Sequence, residues 1–385
     1  MHRLLWLNTR FTNSYKQGAQ RMYKNRLNIV RSTFELLGID TLWVIQPQNR
    51  RYISGFKAPD GQLDESSGSL FINKDKALLL TDSRYTIEAE EEAVNFEVIT
   101  HKEGLIHALP DIFNQLQARK LGFEAGYLMW DLYEKAKKQA SLQSPAVELV
   151  ATAGVVEDIR KIKSKEEIDL LSLSALLMGD ILSKVIEEIK PHQTEKSIAW
   201  KIESLIHERD GDGVSFPPIV ASGENAAVPH ATPTNKKIVE HEPIILDVGS
   251  ILNDYCSDMT RTIFLEGPSS YFKQIYDIVR EAQISAINSI KIGMDSFEAD
   301  SIARDVIKKA GFGEFFCHSL GHGIGLVPHE KPYLGPRNSE VLQEGMVFTI
   351  EPGIYIPGKG GVRLEEMVVL EKEGARVLTT NADFL

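Results

Sequence analysis

Cysteine is nearly absent: Cys256 and Cys317 are the whole complement in 385 residues. Two thiols cannot build a disulfide framework, which points to a reducing compartment and a fold held by its apolar core. No apolar run approaches the roughly 20 residues that a membrane-spanning helix needs, so a soluble protein with no membrane partner is expected. There is no dense Lys/Arg tract interleaved with aromatics, and the formal charge of -11 comes from acids spread along the chain. Nucleic acid is therefore not an expected partner. Asp and Glu are missing from residues 1–21, "MHRLLWLNTRFTNSYKQGAQR", which carry several Arg and Lys. That stretch reads as a leader or N-terminal arm, with Met22 as an alternative start; its apolar piece "LLWL" is too short for a secretory signal.

What remains is ample for two cores: 43% of residues are hydrophobic and 25% charged. Residues 22–150 and 159–385 are read as two domains. In the first, helical and strand-like segments alternate: "NIVRSTFELLGI" helix, "TLWVIQ" strand, "GSLFIN" and "KALLLTD" paired strands, "SRYTIEAEEEA" helix, "FEVIT" strand, then two further helices. This is an α/β pattern. The second domain begins where Ser164, followed by Glu166 and Glu167, opens a long helix with acids in its first turn. Within it, "IKPHQTEKSIAWKIESLI" and "IKIGMDSFEADSIARDVI" align without gaps 101 positions apart. Each offers an N-cap, Thr194 or Asp295, then a helix, and each is expected to lead into a strand bearing Phe216 or Phe316. Chance similarity is the alternative to a duplication.

Two stretches concentrate carboxylates. In "PIILDVGSILNDYCSDMTRTIFL", a turn around Leu252 and Asn253 would set Asp247 opposite Asp258, with Cβ atoms about 4.5 to 5.5 Å apart. In "MVFTIEPGIYIPGKGGVRLEEMVVL", a loop of Pro357, Gly358 and Lys359 would set Glu351 opposite Glu365. Like charges facing one another destabilise a hairpin unless a cation lies between them. A third stretch, "SLGHGIGLVPHE", holds His322 and His329 among Gly321, Gly323, Gly325 and Pro328. So many glycines exclude a helix, and they permit the positive φ or close contacts that a bend between two imidazoles requires. Four carboxylates and an imidazole suit a pair of divalent first-row metals, Mn²⁺ first, with Co²⁺ or Zn²⁺ as alternatives. Such a pair polarises a carbonyl and activates a shared water, which is hydrolytic chemistry.

With these motifs in hand, the chain resembles the pita-bread metallopeptidases, the family of methionine aminopeptidase, Xaa-Pro aminopeptidase and Xaa-Pro dipeptidase (prolidase). "NRRYISGF" and "TDSRY" are similar to strings of the creatinase-type domain that precedes the pita-bread domain in the Xaa-Pro enzymes. The resemblance implies an α/β (α+β) fold with those two domains, and five metal ligands: Asp247, Asp258 in "SDMTRT", His322 in "GHGIG", Glu351 in "EPGIY" and Glu365 in "GVRLEE". It implies that Asp258 and Glu365 bridge the two metals, that Asp247 completes one site, and that His322 with Glu351 completes the other. By the same resemblance His230 and His329 hydrogen-bond the scissile carbonyl and the developing oxyanion, and Glu351 is the general base. Phe216, Tyr255, His318 and Tyr333 are expected at the substrate, and Arg363 behind the metal carboxylates.

The activity implied is hydrolysis of the Xaa-Pro bond at the N-terminus of peptides with proline second, by a cytoplasmic homodimer. Prolidase is the alternative. Tyr333 tips the expectation to the aminopeptidase, because it stands where similar prolidases carry an Arg for the dipeptide's free carboxylate. A metal-free creatinase-like hydrolase and a non-catalytic peptide-binding module are the further rivals; both are disfavoured by the complete set of ligand residues.

Overall fold

The computed structural model describes residues 14–62 and 65–379. Most of the expected leader, residues 1–13, lies outside the described residues. A helix, Ser14–Ser32, includes Met22. Its far half buries Leu27 and Val30 and leads to buried Phe34, a helical spacing that ties it to the core. The chain divides between Ile159 and Arg160 into two compact units.

The first unit is built on a six-stranded mixed sheet. Its strands run in the order Glu97–Thr100, Ala77–Thr81, Gly68–Asn73, Thr41–Val44, Lys120–Glu124, Glu148–Thr152. Gly68–Asn73 pairs antiparallel with both its neighbours, while Thr41–Val44 and Lys120–Glu124 are parallel. The expected strands and helices of this unit are all present. Two further strands, Lys120–Glu124 and Glu148–Thr152, carry little signal in the sequence, each being short and opening on a charged residue.

In the second unit the helix Lys165–Glu188 starts at a capping box in which Ser164 and Glu167 satisfy each other's backbone N–H groups. Thr194 caps Glu195–Glu208 and Asp295 caps Ser296–Lys309, again with reciprocal boxes. The sequence similarity between these two segments has a structural counterpart. Both caps make isolated antiparallel bridges, Thr194 to Lys237 and Asp295 to Val341. Each helix pair covers its own strands. Ile181, Leu182 and Ile202 pack with Leu246 and Met259 on one side, and Val279, Ala303 and Ile307 with Phe348 and Val368 on the other. Each fully buried Leu, Ile or Phe contributes about 1.5 to 3 kcal/mol.

Neither Phe216 nor Phe316 lies on a strand, contrary to expectation. Phe216 is followed by Pro217 and Pro218, which have no N–H to give a ladder. Around Phe316 the carbonyls are taken by a side chain: the Arg304 guanidinium donates to Phe316 O at 3.0 Å and to His318 O at 2.8 Å. No helix among the described residues is long and apolar enough to cross a membrane.

Candidate metal centre

Asp247 rides on Ile244–Val248, the middle strand of a sheet flanked by Ile219–Ser222 and Met259–Ile263. The turn beyond it is made by Asn253 and Asp254, both at positive φ, which these short polar side chains tolerate. Leu252 therefore pairs with Tyr255 and Asp247 with Thr260, two residues away from the expected partner Asp258. An even slip preserves the face. Asp258 still lines the same cavity as Asp247. The other hairpin has the expected register: Gly353 pairs with Arg363, and Ile350 with Glu366. Glu351 and Glu365 thus fall opposite each other where the two ladders meet. The adjacent acid, Glu366, turns away and is bound by Arg261 Nη2 at 2.9 Å, which separates two sequence neighbours of identical type.

His322 lies on Gly321–Gly323, its Nε2 3.3 Å from Glu351 Oε1 and 3.7 Å from Asp258 Oδ2. Nδ1 faces the carbonyl of Gly323 at 3.1 Å and donates to it, which aims Nε2 at the carboxylate cluster. Burial opposes the charged imidazole, but the hydrogen bond with Glu351 and the surrounding acids raise it, and a cation at Nε2 would take the place of that proton. One ligand atom each from Asp258, His322 and Glu365 lie within 4.8 Å of one another. The three glycines of this segment serve close approach, and none has positive φ. A Cβ at Gly321 would collide with Thr349 O, at Gly323 with Lys331 O, and at Gly325 with the Glu330 carboxylate.

Around these acids lies a cavity of about 500 Å³. Phe216, His230, His318, His329 and Tyr333 all line it. His329 stacks obliquely on His322, ring centroids 4.1 Å apart. Tyr333 pairs directly across from His322 and is half-exposed at the rim. His318 contributes its ring only, since Nε2 is bonded to Tyr355 Oη at 2.9 Å and Nδ1 lies 2.8 Å from Ser319 O.

The expectation for Tyr255 is corrected. It is buried away from the cavity, its hydroxyl donating to Glu167 Oε1 at 3.0 Å, because the adjacent Asn253–Asp254 turn directs it toward the long helix.

Arg363 binds several parts of the site at once. It donates to Asp247 Oδ2 at 2.6 Å, to Thr260 Oγ1 at 3.1 Å, to Tyr355 Oη at 2.8 Å and to Pro229 O at 3.2 Å. Thr260 in turn donates to Glu365 Oε2 at 2.6 Å. Thr260 and Tyr355 were not singled out from sequence, although both stand inside the motifs that carried the acids, "SDMTRT" and "EPGIY".

Burial, and then the charges of neighbouring acids, hold Asp258 and Glu365 well above the usual carboxylate range. Asp247 is raised too, burial outweighing Arg363. Glu351 is the exception. Burial opposes its ionisation, yet the hydrogen bond with His322 and the positive charges around it bring it down to about 2. Burial, followed by the charge of His322, takes His329 down to about 4. Asp247 Oδ1 and Asp258 Oδ1 are buried and accept no hydrogen bond from the protein. Orphaned anionic oxygens in a dry site are expensive, and divalent cations satisfy oxygen and imidazole donors of this kind. The residues fit a metal pair.

Residues 169–372 match the model of metallopeptidase family M24, and residues 26–162 that of the creatinase/prolidase N-terminal domain. The chain belongs to metallopeptidase family M24. Peptidases of this family use a pair of divalent metal ions, for which the acid cluster provides the donor set. The chain is 36% identical over 357 residues to the Xaa-Pro dipeptidase of Pyrococcus furiosus, covering 92% of this chain and 98% of that one. Among solved structures, the Xaa-Pro dipeptidase from Bacillus anthracis superposes with a TM-score of 0.87 at 37% identity, over 94% of this chain and 98% of that one. The X-Pro aminopeptidase from Thermotoga maritima superposes with a TM-score of 0.82 at 34% identity, over 91% and 98%.

Proposed function

We propose that this M24 metallopeptidase is an Xaa-Pro dipeptidase, whose catalytic domain is residues 159–385. The observation that carries the hydrolytic reading is the pair of buried, unpartnered carboxylate oxygens on Asp247 and Asp258 within a cavity that His230 and His329 also line. Two of the three relatives named above are Xaa-Pro dipeptidases and one is an X-Pro aminopeptidase, which favours the dipeptide as substrate over the aminopeptidase expected from Tyr333.

In this reading Asp247, Asp258, His322, Glu351 and Glu365 hold two divalent ions, Mn²⁺ first, which when bound supply Lewis acidity and an activated water. Glu351, ionised at neutral pH, accepts the proton released as the scissile carbonyl is attacked. His329, neutral at that pH, donates an N–H to the developing oxyanion, and His230, which lines the same cavity, donates to the scissile carbonyl. Phe216 offers an apolar face to the proline ring, which replaces the N–H that ordinary peptidases grip. Two cysteines in a chain of this length support a reducing compartment, and a homodimer is the assembly the family resemblance implies.

The aminopeptidase reading has one observation in its favour. Arg363 is the only Arg or Lys among the described residues lining the cavity, and four of its five N–H donors go to Asp247, Thr260, Tyr355 and Pro229 O. A bidentate grip on a dipeptide's carboxylate would require some of those bonds to break. The test is kcat/KM for an Xaa-Pro dipeptide against the matching Xaa-Pro-Yaa tripeptide. A dipeptidase favours the former by at least about tenfold, equivalent to roughly 1.4 kcal/mol; the reverse ratio makes the chain an aminopeptidase.

A further inference from the structure

Glu195 is fully buried at the first turn of the helix Glu195–Glu208, remote in sequence from every candidate catalytic group. Its carboxylate receives five donor groups from one loop. Oε1 accepts from Ser222 N at 2.8 Å and Ser222 Oγ at 2.9 Å. Oε2 accepts from Thr234 N at 2.9 Å and Thr234 Oγ1 at 2.6 Å. Asn225 Nδ2 lies 3.1 Å from both oxygens. Ser222 and Thr234 are the two ends of the segment that carries His230 to the cavity. One carboxylate therefore closes that loop at its base, as a bound ion would. The segment is seated from below as well, since Gly360 and Gly361 leave room for the carbonyls of Gly223 and Ala226.

We propose that Glu195 is a positioning residue for the hydrolytic reaction: by tying Ser222 to Thr234 it fixes the rim position from which His230 donates to the substrate. Thirteen residues joined only at their ends by ordinary chain would sample many conformations, and an oxyanion donor misplaced by about an ångström loses most of its effect. His230 itself is exposed. Its placement comes from the loop rather than from packing of its own ring. Burial alone would raise the Glu195 carboxyl, but the hydrogen bonds prevail and hold it below the usual range, as an anchor that works ionised requires.

The inference rests on the role given to His230 above, and a double-mutant cycle tests it on the metal-loaded full-length chain with an Xaa-Pro dipeptide. Glu195→Gln should lower kcat by roughly tenfold, with KM and metal content near wild type, because an amide NH₂ now faces N–H donors. In a His230→Ala background the same substitution should cost less than about twofold, since there is no longer a donor to misplace. An equal loss in both backgrounds, or no loss in either, overturns the proposal. Ser222→Ala and Thr234→Val remove only hydroxyl donors and serve if Glu195→Gln does not fold; each should cost roughly threefold and show the same dependence on His230. Hydrogen exchange of amides 222–234 supplies an arm independent of turnover. If the wild-type chain cleaves no Xaa-Pro peptide, the proposed function fails. Faster exchange in Glu195→Gln, confined to this loop, would then still uphold the anchor, and unchanged exchange would refute it.

Discussion

Two kinds of buried carboxylate coexist in the second unit. Glu195 is surrounded by five donors and sits below the usual carboxylate range. Asp258, also shut off from solvent, keeps one oxygen without any partner and is pushed well above that range by burial and by Glu365 and Asp247. Asp258 is the more deeply desolvated of the two, and the supply of hydrogen-bond donors differs as well. A protein that saturates one buried acid with hydrogen bonds and leaves a neighbouring cluster short has left a place for cations. The first unit supplies an intermediate case. Glu124 accepts from the backbone N–H of Ile45 and Gln46 and from Asn49 Nδ2. Three donors do not offset its burial, and it is raised to about 7.

The largest expected effect falls on the unsaturated set. Asp258→Asn keeps the shape and removes the charge, and it should lower turnover by more than about a hundredfold, the upper end for outer-shell partners of metal ligands, with bound metal lost in parallel. Retention of both metal and turnover would mean that this acid is buried for packing alone. Next comes His329→Ala. It should lower kcat by about a hundredfold while metal content measured by elemental analysis stays at the wild-type value, the scale for one transition-state donor. Loss of metal would move His329 into the ligand set.

Smaller effects separate Glu124 from Glu195 by pH. The Glu124 carboxyl is raised in the folded chain, so its contribution is full below its ordinary value of 4.5 and is lost as pH rises through about 7. Glu195 is lowered, so its contribution is present above 4.5 and is lost as pH falls below it. Hydrogen exchange, corrected for intrinsic rates, should show the helix Pro47–Ser54 becoming more protected between pH 7.5 and 5, by at most about 3 kcal/mol. The loop 222–234 should be steady across that range and loosen only in more acid solution. Glu124→Gln should abolish the first trend without touching the second.

How far this was readable in the chain varies by residue. The Glu351/Glu365 register was legible because Pro357, Gly358 and Lys359 fix a short loop, and Gly358 takes the positive φ the turn needs. The Asp247/Asp258 register was displaced because the turn uses Asn253 and Asp254, a choice that local sequence leaves open among several polar residues. Ser164, Thr194 and Asp295 were recognisable as helix caps because capping is local chemistry. Tyr255 was misassigned and Glu195 unnoticed for the opposite reason. The partners that decide their roles are distant in sequence, Glu167 for the one and the loop from Ser222 to Thr234 for the other.

The central claim, that the undersupplied acids exist to hold a metal pair, is tested most directly by calorimetric titration of Mn²⁺ into metal-stripped full-length chain. Raised carboxyls must give up any protons they hold when a cation arrives, so heats measured in buffers of different ionisation enthalpy also report that release. The account predicts two ions bound per chain, with proton release as the pH is lowered, and a higher unfolding temperature with metal present. A single ion, or none, would contradict it.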